Sequence, residues 1–508
     1  MAPQILSSYT RRGFLRQAAR AGIGLTAASA VMRDLRLIST ASAQGGTMPT
    51  DYKALVCIFL AGGNDSDNTI IATNTADHAN YLAIRQKLGI SLSNLLSITP
   101  DNTPIPGRTY GLHPSLGVAG SSGTGIKRLF EEGKAATIFN VGPLLAPTTK
   151  ADYLNGTVAL PPQLFSHSDQ VIHWQTSIPD QPPATGWAGR LADLFLDGVP
   201  TANQGKISLN TSVAGTNTFQ TGADFNQFHV SGTGAVTLSV LAGAPEWRGG
   251  WHDSLQNVAD IDTTTTNLQR QAYARALSDA KGIGKELNIA LDTATPSNWN
   301  GDPSNPFPAT PLGTQLKMVA RMIAARDLLD MKRQTFFTQL GGYDTHADQV
   351  YDGAAHQGFH AGLLKEMSDA VYAFQRALEY LASSNPTAHS GLSDKVVSFT
   401  ASDFGRTFRS NGLGSDHGWG GHHWVFGGSG GTTGAVKGRW TYGNLPNQYI
   451  SAGGGSSDDT GHGRWIPTIS VDEYSATLAK WFGVSNSNLD VVFPNLTRFA
   501  QRDIGFLR

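Results

Sequence analysis

Four short segments hold the residues of this chain best suited to metal or acid–base chemistry. Gly62-Gly63-Asn64-Asp65-Ser66-Asp67-Asn68, Gly341-Gly342-Tyr343-Asp344-Thr345-His346 and Ser402-Asp403-Phe404-Gly405-Arg406-Thr407 each follow an apolar run. Ser415-Asp416-His417-Gly418 comes next, with His422 and His423 close behind. Alone, an Asp after Gly-Gly is a turn residue, and a lone His417 is a surface imidazole. Asp344 and His346 are two positions apart, so an extended segment points both the same way. Carboxylates brought together repel one another unless a cation lies between them, and mixed Asp/His donors suit a divalent metal. Zn and Mn fit such donors, and Ca less readily.

A nucleophile could come from Phe165-Ser166-His167-Ser168-Asp169-Gln170. Ser166 with Asp169 reads as a capping box opening a helix over 169–175. A hydroxyl at a helix N-terminus can attack an anionic ester and share its charge with the helix dipole. Ser166 and Ser168 are equal candidates, and a plain N-cap is the structural alternative.

These residues need a frame. Ala54 to Leu60 (ALVCIFL) is a continuous apolar run, as expected of a strand buried on both faces. Ala135 to Asn140, Gln334 to Leu340 and Lys395 to Thr400 read the same way. Helical spacing of apolar residues spans Leu312 to Met331 and His360 to Ser383. Strands alternating with helices predict an α/β sandwich with a mostly parallel sheet. Ligands of such sheets bind beyond the carboxyl ends of the strands, where the Asp-bearing segments begin. Residues 293–311 and 427–463 read as long loops, and 206–242 as extra strands or a cap.

Paired arginines at Arg11-Arg12, then Ala21 to Met32 and Ala41-Ser42-Ala43, have the order of a twin-arginine export signal with a cleavage site. The exported protein is expected to begin near Gln44, with 1–43 the signal and 44–508 one large domain. The apolar stretch is too short for a stable membrane anchor, and no later run approaches the required length. Residues 1–43 contain six Arg and one Asp, so the remainder carries a net charge of −6, against −1 for the whole chain. It lacks the basic footprint of nucleic-acid binding. Gly is abundant at 58 residues, which suits long loops over a sizeable core; the lone Cys57 excludes an internal disulfide.

The string LVCIFLAGGNDSDNTII resembles the opening strand of a bacterial, twin-arginine-exported family of unknown function, number 1501. Tyr110-Gly-Leu-His113-Pro114, Phe165-Ser-His167 and Thr185-Gly-Trp-Ala-Gly-Arg190 resemble it too. So do GGYDTHADQ at 341–349, SDFGRT at 402–407, SDHGWGGHHWVFGG at 415–428 and the C-terminal EYSATLAKWFGV…VFPNL. The family looks like a distant branch of the alkaline phosphatase and sulfatase superfamily. That resemblance implies a three-layer α/β/α fold with a metal-centred hydrolase site. It implies Asp65, Asp344, His346, Asp403 and His417 or His423 as metal ligands, and Ser166 or Ser168 as nucleophile. Phe404 departs from the His that phosphatases carry there. The formylglycine motif of sulfatases is missing.

The expectation is an exported metal-dependent hydrolase of sulfate, phosphate or related esters, on small molecules or glycans. Arg406 and Arg190 would contact the anionic oxygens, and His167 or His113 would be the general acid. A rival is a non-catalytic exported protein of the same fold, binding glycans or an exported partner through Trp419, Trp424 and Trp440. A metal-free carboxyl-ester hydrolase is a third reading, weakened because no G-x-S-x-G elbow occurs.

Overall fold

The computed structural model describes residues 49–102, 105–118, 120, 122–196, 203, 207–235, 282–450 and 456–508. The expected export signal lies outside them. The strands of the main sheet are, in chain order, β1 (Lys53–Ala61), β2 (Ala135–Gly142), β3 (Asn210–Ser212), β4 (Phe228–Ser231) and β5 (Gly234–Ala235). They continue with β6 (Arg333–Gly341) and β7 (Val396–Ser402). A hairpin off the sheet is formed by β8 (Arg406–Ser410) and β9 (Ser415–His417), and β10 (Gly421–Gly427), β11 (Thr441–Tyr442) and β12 (Ile469–Ser470) complete the set. The helices used below are α1 (Thr75–Arg85), α2 (Gly125–Glu131), α3 (His167–Thr176), α4 (Trp187–Leu196), α5 (Pro311–Ala324), α6 (Phe359–Ser384) and α7 (Val471–Phe482).

The sheet order is β11-β2-β10-β7-β1-β6-β3-β4-β5, with β12 also on β2. β1 pairs in parallel with both β6 and β7, and β3 and β4 extend the parallel array. Among the described strands of this sheet, β10 and β5 pair antiparallel with their neighbours. The four apolar runs read from the sequence are thus β1, β2, β6 and β7, near the centre where both faces are covered.

Alternation along β1 divides the core in two. Ala54, Val56, Ile58 and Leu60 pack with residues of α2, α5 and α6, whereas Leu55, Cys57 and Phe59 pack with residues of α4 and α7. Helices cover both faces, which makes an α/β sandwich with a largely parallel sheet. α5 starts where Thr310 caps Gly313 and Pro311 occupies the first turn. It stops at Ala324, short of the expected Met331; turns follow over 325–330, and Asp330, at a left-handed φ of 51°, leads the chain toward β6. α7 has the full capping box, Ser470 with Glu473, and ends on left-handed Gly483.

The described part of 206–242 supplies β3, β4 and β5. The loop expected over 293–311 contains a short hairpin, Gly301–Asp302 with Asn305–Pro306. Among the described residues no helix is long and apolar enough to cross a membrane.

Candidate metal centre

The register of the central strands explains why distant residues meet. Ala61 lies opposite Gly341, and Leu60 opposite Ser402, so three chain segments leave the sheet at one edge. Gly62 joins them. Its φ is 115°, and the backbone of Asp344 occupies the place a Cβ would take. Its N–H donates to Asp403 Oδ1 at 3.1 Å, and its carbonyl accepts from Arg406 at 2.9 Å. In the β8–β9 hairpin Arg406 pairs with His417. α3 contributes His167 from its first turn.

Four donor atoms converge at this edge. His417 Nε2 lies 3.0 Å from His167 Nε2 and 2.9 Å from His346 Nε2. Asp344 Oδ1 lies 3.3 Å from His167 Nε2, 3.0 Å from His346 Nε2 and 3.5 Å from His417 Nε2. His167, Asp344 and His417 form a group that could hold an ion, their donor atoms lying within 4.8 Å of one another. Tetrahedral zinc, with bonds of about 2.0–2.1 Å, separates its donors by roughly 3.3 Å. The edges of the His167–Asp344–His417 triangle match that spacing.

The other ring nitrogens decide which atoms are free to donate. His417 Nδ1 lies 2.7 Å from the carbonyl oxygen of Phe165, which can only accept, so Nδ1 carries the proton. His167 Nδ1 lies 2.7 Å from Asp403 Oδ2, and His346 Nδ1 lies 3.3 Å from Asp416 Oδ1. Each imidazole is oriented through Nδ1 by an oxygen, leaving its Nε2 lone pair directed at the others. This is how proteins support metal-ligating histidines. Lone pairs at 3 Å repel, and a cation between them removes the repulsion.

The charges around the site shift its groups in different directions. The hydrogen bond that His167 donates to Asp403 raises the pKa of His167, against the opposing effect of burial. Burial lowers that of His417. Burial works against ionising Asp344, but Arg406, His167 and His346 outweigh it and hold the carboxyl below its usual range. Asp416 is likewise held low against burial, by Asn411 and His346.

Several expected site residues lie elsewhere. Asp65 is fully buried, and its carboxylate is met by the equally buried Arg85 of α1 and by Gln349. It is not among the converging donors. His423 sits in the core beside Trp174, at 4.6 Å between ring centroids, with Nδ1 3.3 Å from the Thr400 hydroxyl. Burial pushes its pKa down to about 3. Of the two histidines left open by the sequence, His417 is the one at the cluster. Asp403 stands behind His167, with both oxygens engaged, rather than beside the donors.

Arg406 is fully buried and turned into the fold rather than toward a substrate. Its Nε and one terminal nitrogen donate to the Ser415 carbonyl, and the other terminal nitrogen to Gly62 and Asp344. It acts as a clamp on Asp344. Arg190 is spent on the carbonyls of Thr176, Thr185 and Val492. His113 is buried, and its Nδ1 accepts from the Ser115 N–H.

Ser166 stands at the N-cap of α3, but its hydroxyl donates to Asp169 Oδ2 at 2.6 Å, so the expected capping box is not formed. Ser168 bonds to Asp169 as well. The residue between them, His167, is the one that reaches the cluster. Trp419 and Trp424 are buried, leaving only Trp440 of the three tryptophans at the surface. Asp416, which the sequence places in the His417 segment without assigning it a role, is the residue that orients His346.

The fold and site define an α/β protein with a histidine–carboxylate cluster at the carboxyl edge of a largely parallel sheet. The chain belongs to the family described as protein of unknown function (DUF1501), whose model matches residues 52–448. No curated protein matches it.

Proposed function

We propose that this is an exported metal-dependent hydrolase of sulfate, phosphate or related esters, with an alkaline phosphatase- or sulfatase-like fold. The observation that carries the reading is the convergence of three imidazole Nε2 atoms on Asp344 Oδ1, each imidazole oriented through Nδ1 by an oxygen. His167, Asp344 and His417 would hold the ion, with His346 beside them. A bound divalent ion polarises an ester oxygen and lowers the pKa of water. Nitrogen-rich donors favour Zn or Mn over Ca.

The protein's own residues orient and support. Asp403, Asp416 and the Phe165 carbonyl fix the three imidazoles, and Arg406 fixes Asp344. Phe404, where phosphatases carry a histidine, lays its ring 4.7 Å from that of His167 and 4.8 Å from that of His417. That apolar wall offers no donor on its side, which favours a single ion. With Ser166 and Ser168 turned to Asp169, water is the favoured nucleophile.

The test is elemental analysis of residues 44–508 purified without chelator, beside the Asp344→Ala/Asp403→Ala variant. A stoichiometric ion in the wild type, absent from a folded variant, followed by turnover of a phosphate or sulfate ester, supports the proposal. No ion, or no turnover across a broad ester panel after reconstitution, defeats it.

A further inference from the structure

An anionic ester needs a cation for its non-bridging oxygens, and Arg406 is consumed within the fold. The cluster holds three carboxylates, Asp344, Asp403 and Asp416, and one guanidinium, Arg406, which pairs with Asp344. A divalent ion would bring that set to zero net charge, so nothing in it attracts an anion from a distance. One further arginine touches the residues that hold the centre. Arg464 Nε donates to the backbone carbonyl of His417 at 2.9 Å. Its guanidinium carbon lies 4.9 Å from the centroid of Phe165, the residue whose carbonyl orients the His417 ring. Arg464 therefore contacts both the donor residue His417 and the residue that orients it.

The segment carrying Arg464 is rigidly built. Asp459 Oδ1 accepts from the N–H groups of Gly461, Gly463 and Arg464, at 2.6, 2.8 and 3.1 Å. The N–H of Phe408 donates to Gly463, and that of Gly420 to Trp465, which ties the turn to the β8–β9 hairpin and its exit. Trp465 is buried beside it, with its indole N–H on Asp67. Among the described residues Arg464 has no carboxylate partner, and its two terminal nitrogens make no hydrogen bond. A guanidinium stacked on an aromatic ring and bonded through Nε keeps a planar pair of donors for an oxyanion.

We infer that Arg464 forms the anion-binding subsite of the metal centre and recognises the non-bridging oxygens of a phosphate or sulfate group. The inference rests on the hydrolase reading above. It gives the centre the positive charge that its carboxylates and Arg406 do not.

The experiment compares the full wild-type chain with Arg464→Gln and Arg464→Lys, each loaded with zinc. Zinc content, thermal midpoint and calorimetric titration with inorganic phosphate and with sulfate are measured for all three. The expected result is equal zinc and similar midpoints, with phosphate or sulfate binding at least tenfold weaker in Arg464→Gln. Arg464→Lys should be intermediate, because it keeps the charge and loses the fork. Anion binding unchanged in Arg464→Gln overturns the subsite while leaving the metal centre standing. Loss of zinc in Arg464→Gln also overturns it, since Arg464 would then act only by placing His417. A zinc-loaded wild type that binds neither anion overturns the subsite. A wild type that takes up no metal brings down the hydrolase reading, and the subsite with it.

Discussion

His167 Nδ1 and Asp403 Oδ2 are 2.7 Å apart although 236 positions separate them in the chain. The contact joins the first turn of α3 to the end of β7. The other oxygen of Asp403 accepts from the Gly62 N–H, so one carboxylate ties β1, β7 and α3 together. In Asp403→Asn only one of those two donors can keep an acceptor. Metal affinity should fall about 10–100-fold, the usual cost of losing a supporting partner of a ligating histidine. Chelator competition measures it, and unaltered affinity would remove Asp403 from the supporting role.

Bound metal should stabilise the fold, because an ion that binds only the native state adds free energy by mass action. At a free concentration one hundred times Kd the gain is about 2.7 kcal/mol. Chelator should therefore lower the wild-type thermal midpoint by a few degrees. His417→Ala, which lacks one donor, should show no chelator response. An equal response in both proteins would place the ion elsewhere.

The Asp65–Arg85 pair is a structural element under the site, with both side chains fully buried. Removing one partner strands a buried charge. Arg85→Met should destabilise the protein by roughly 3–5 kcal/mol in denaturant unfolding. Asp65→Asn, if folded, should retain its metal. A folded Asp65→Asn without metal would restore Asp65 as a ligand.

Asp472, in the first turn of α7, should make stability depend on pH. Burial pushes its pKa up to about 7, with Ser177 and Arg190 only partly opposing. The folded protein thus holds this proton where the unfolded chain has released it. The contribution is fully present below about pH 4 and is lost as pH rises through 7. Relative to Asp472→Asn, wild-type stability should fall by on the order of a few kcal/mol between about pH 4 and 7. Parallel pH profiles for the two proteins would refute this assignment.

Local chemistry was legible in the sequence. Continuous apolar runs marked β1, β2, β6 and β7, because strands covered on both faces have no polar side to show. The Asp-x-His spacing announced that Asp344 and His346 act together, and their atoms lie 3.0 Å apart. Which segments meet was decided only in three dimensions. His417 and His423 are six residues apart in similar surroundings, yet one lies at the cluster and the other among aromatic rings of the core. Asp65 follows its strand as Asp403 does, yet Arg85 neutralises it. Arg406 looked free in its motif and proved buried against Asp344, whereas Arg464 carries no such signal and ends beside His417. Side-chain type and spacing depend on neighbours in the chain. Charge neutralisation and donor saturation depend on partners that sheet register and packing bring from far away.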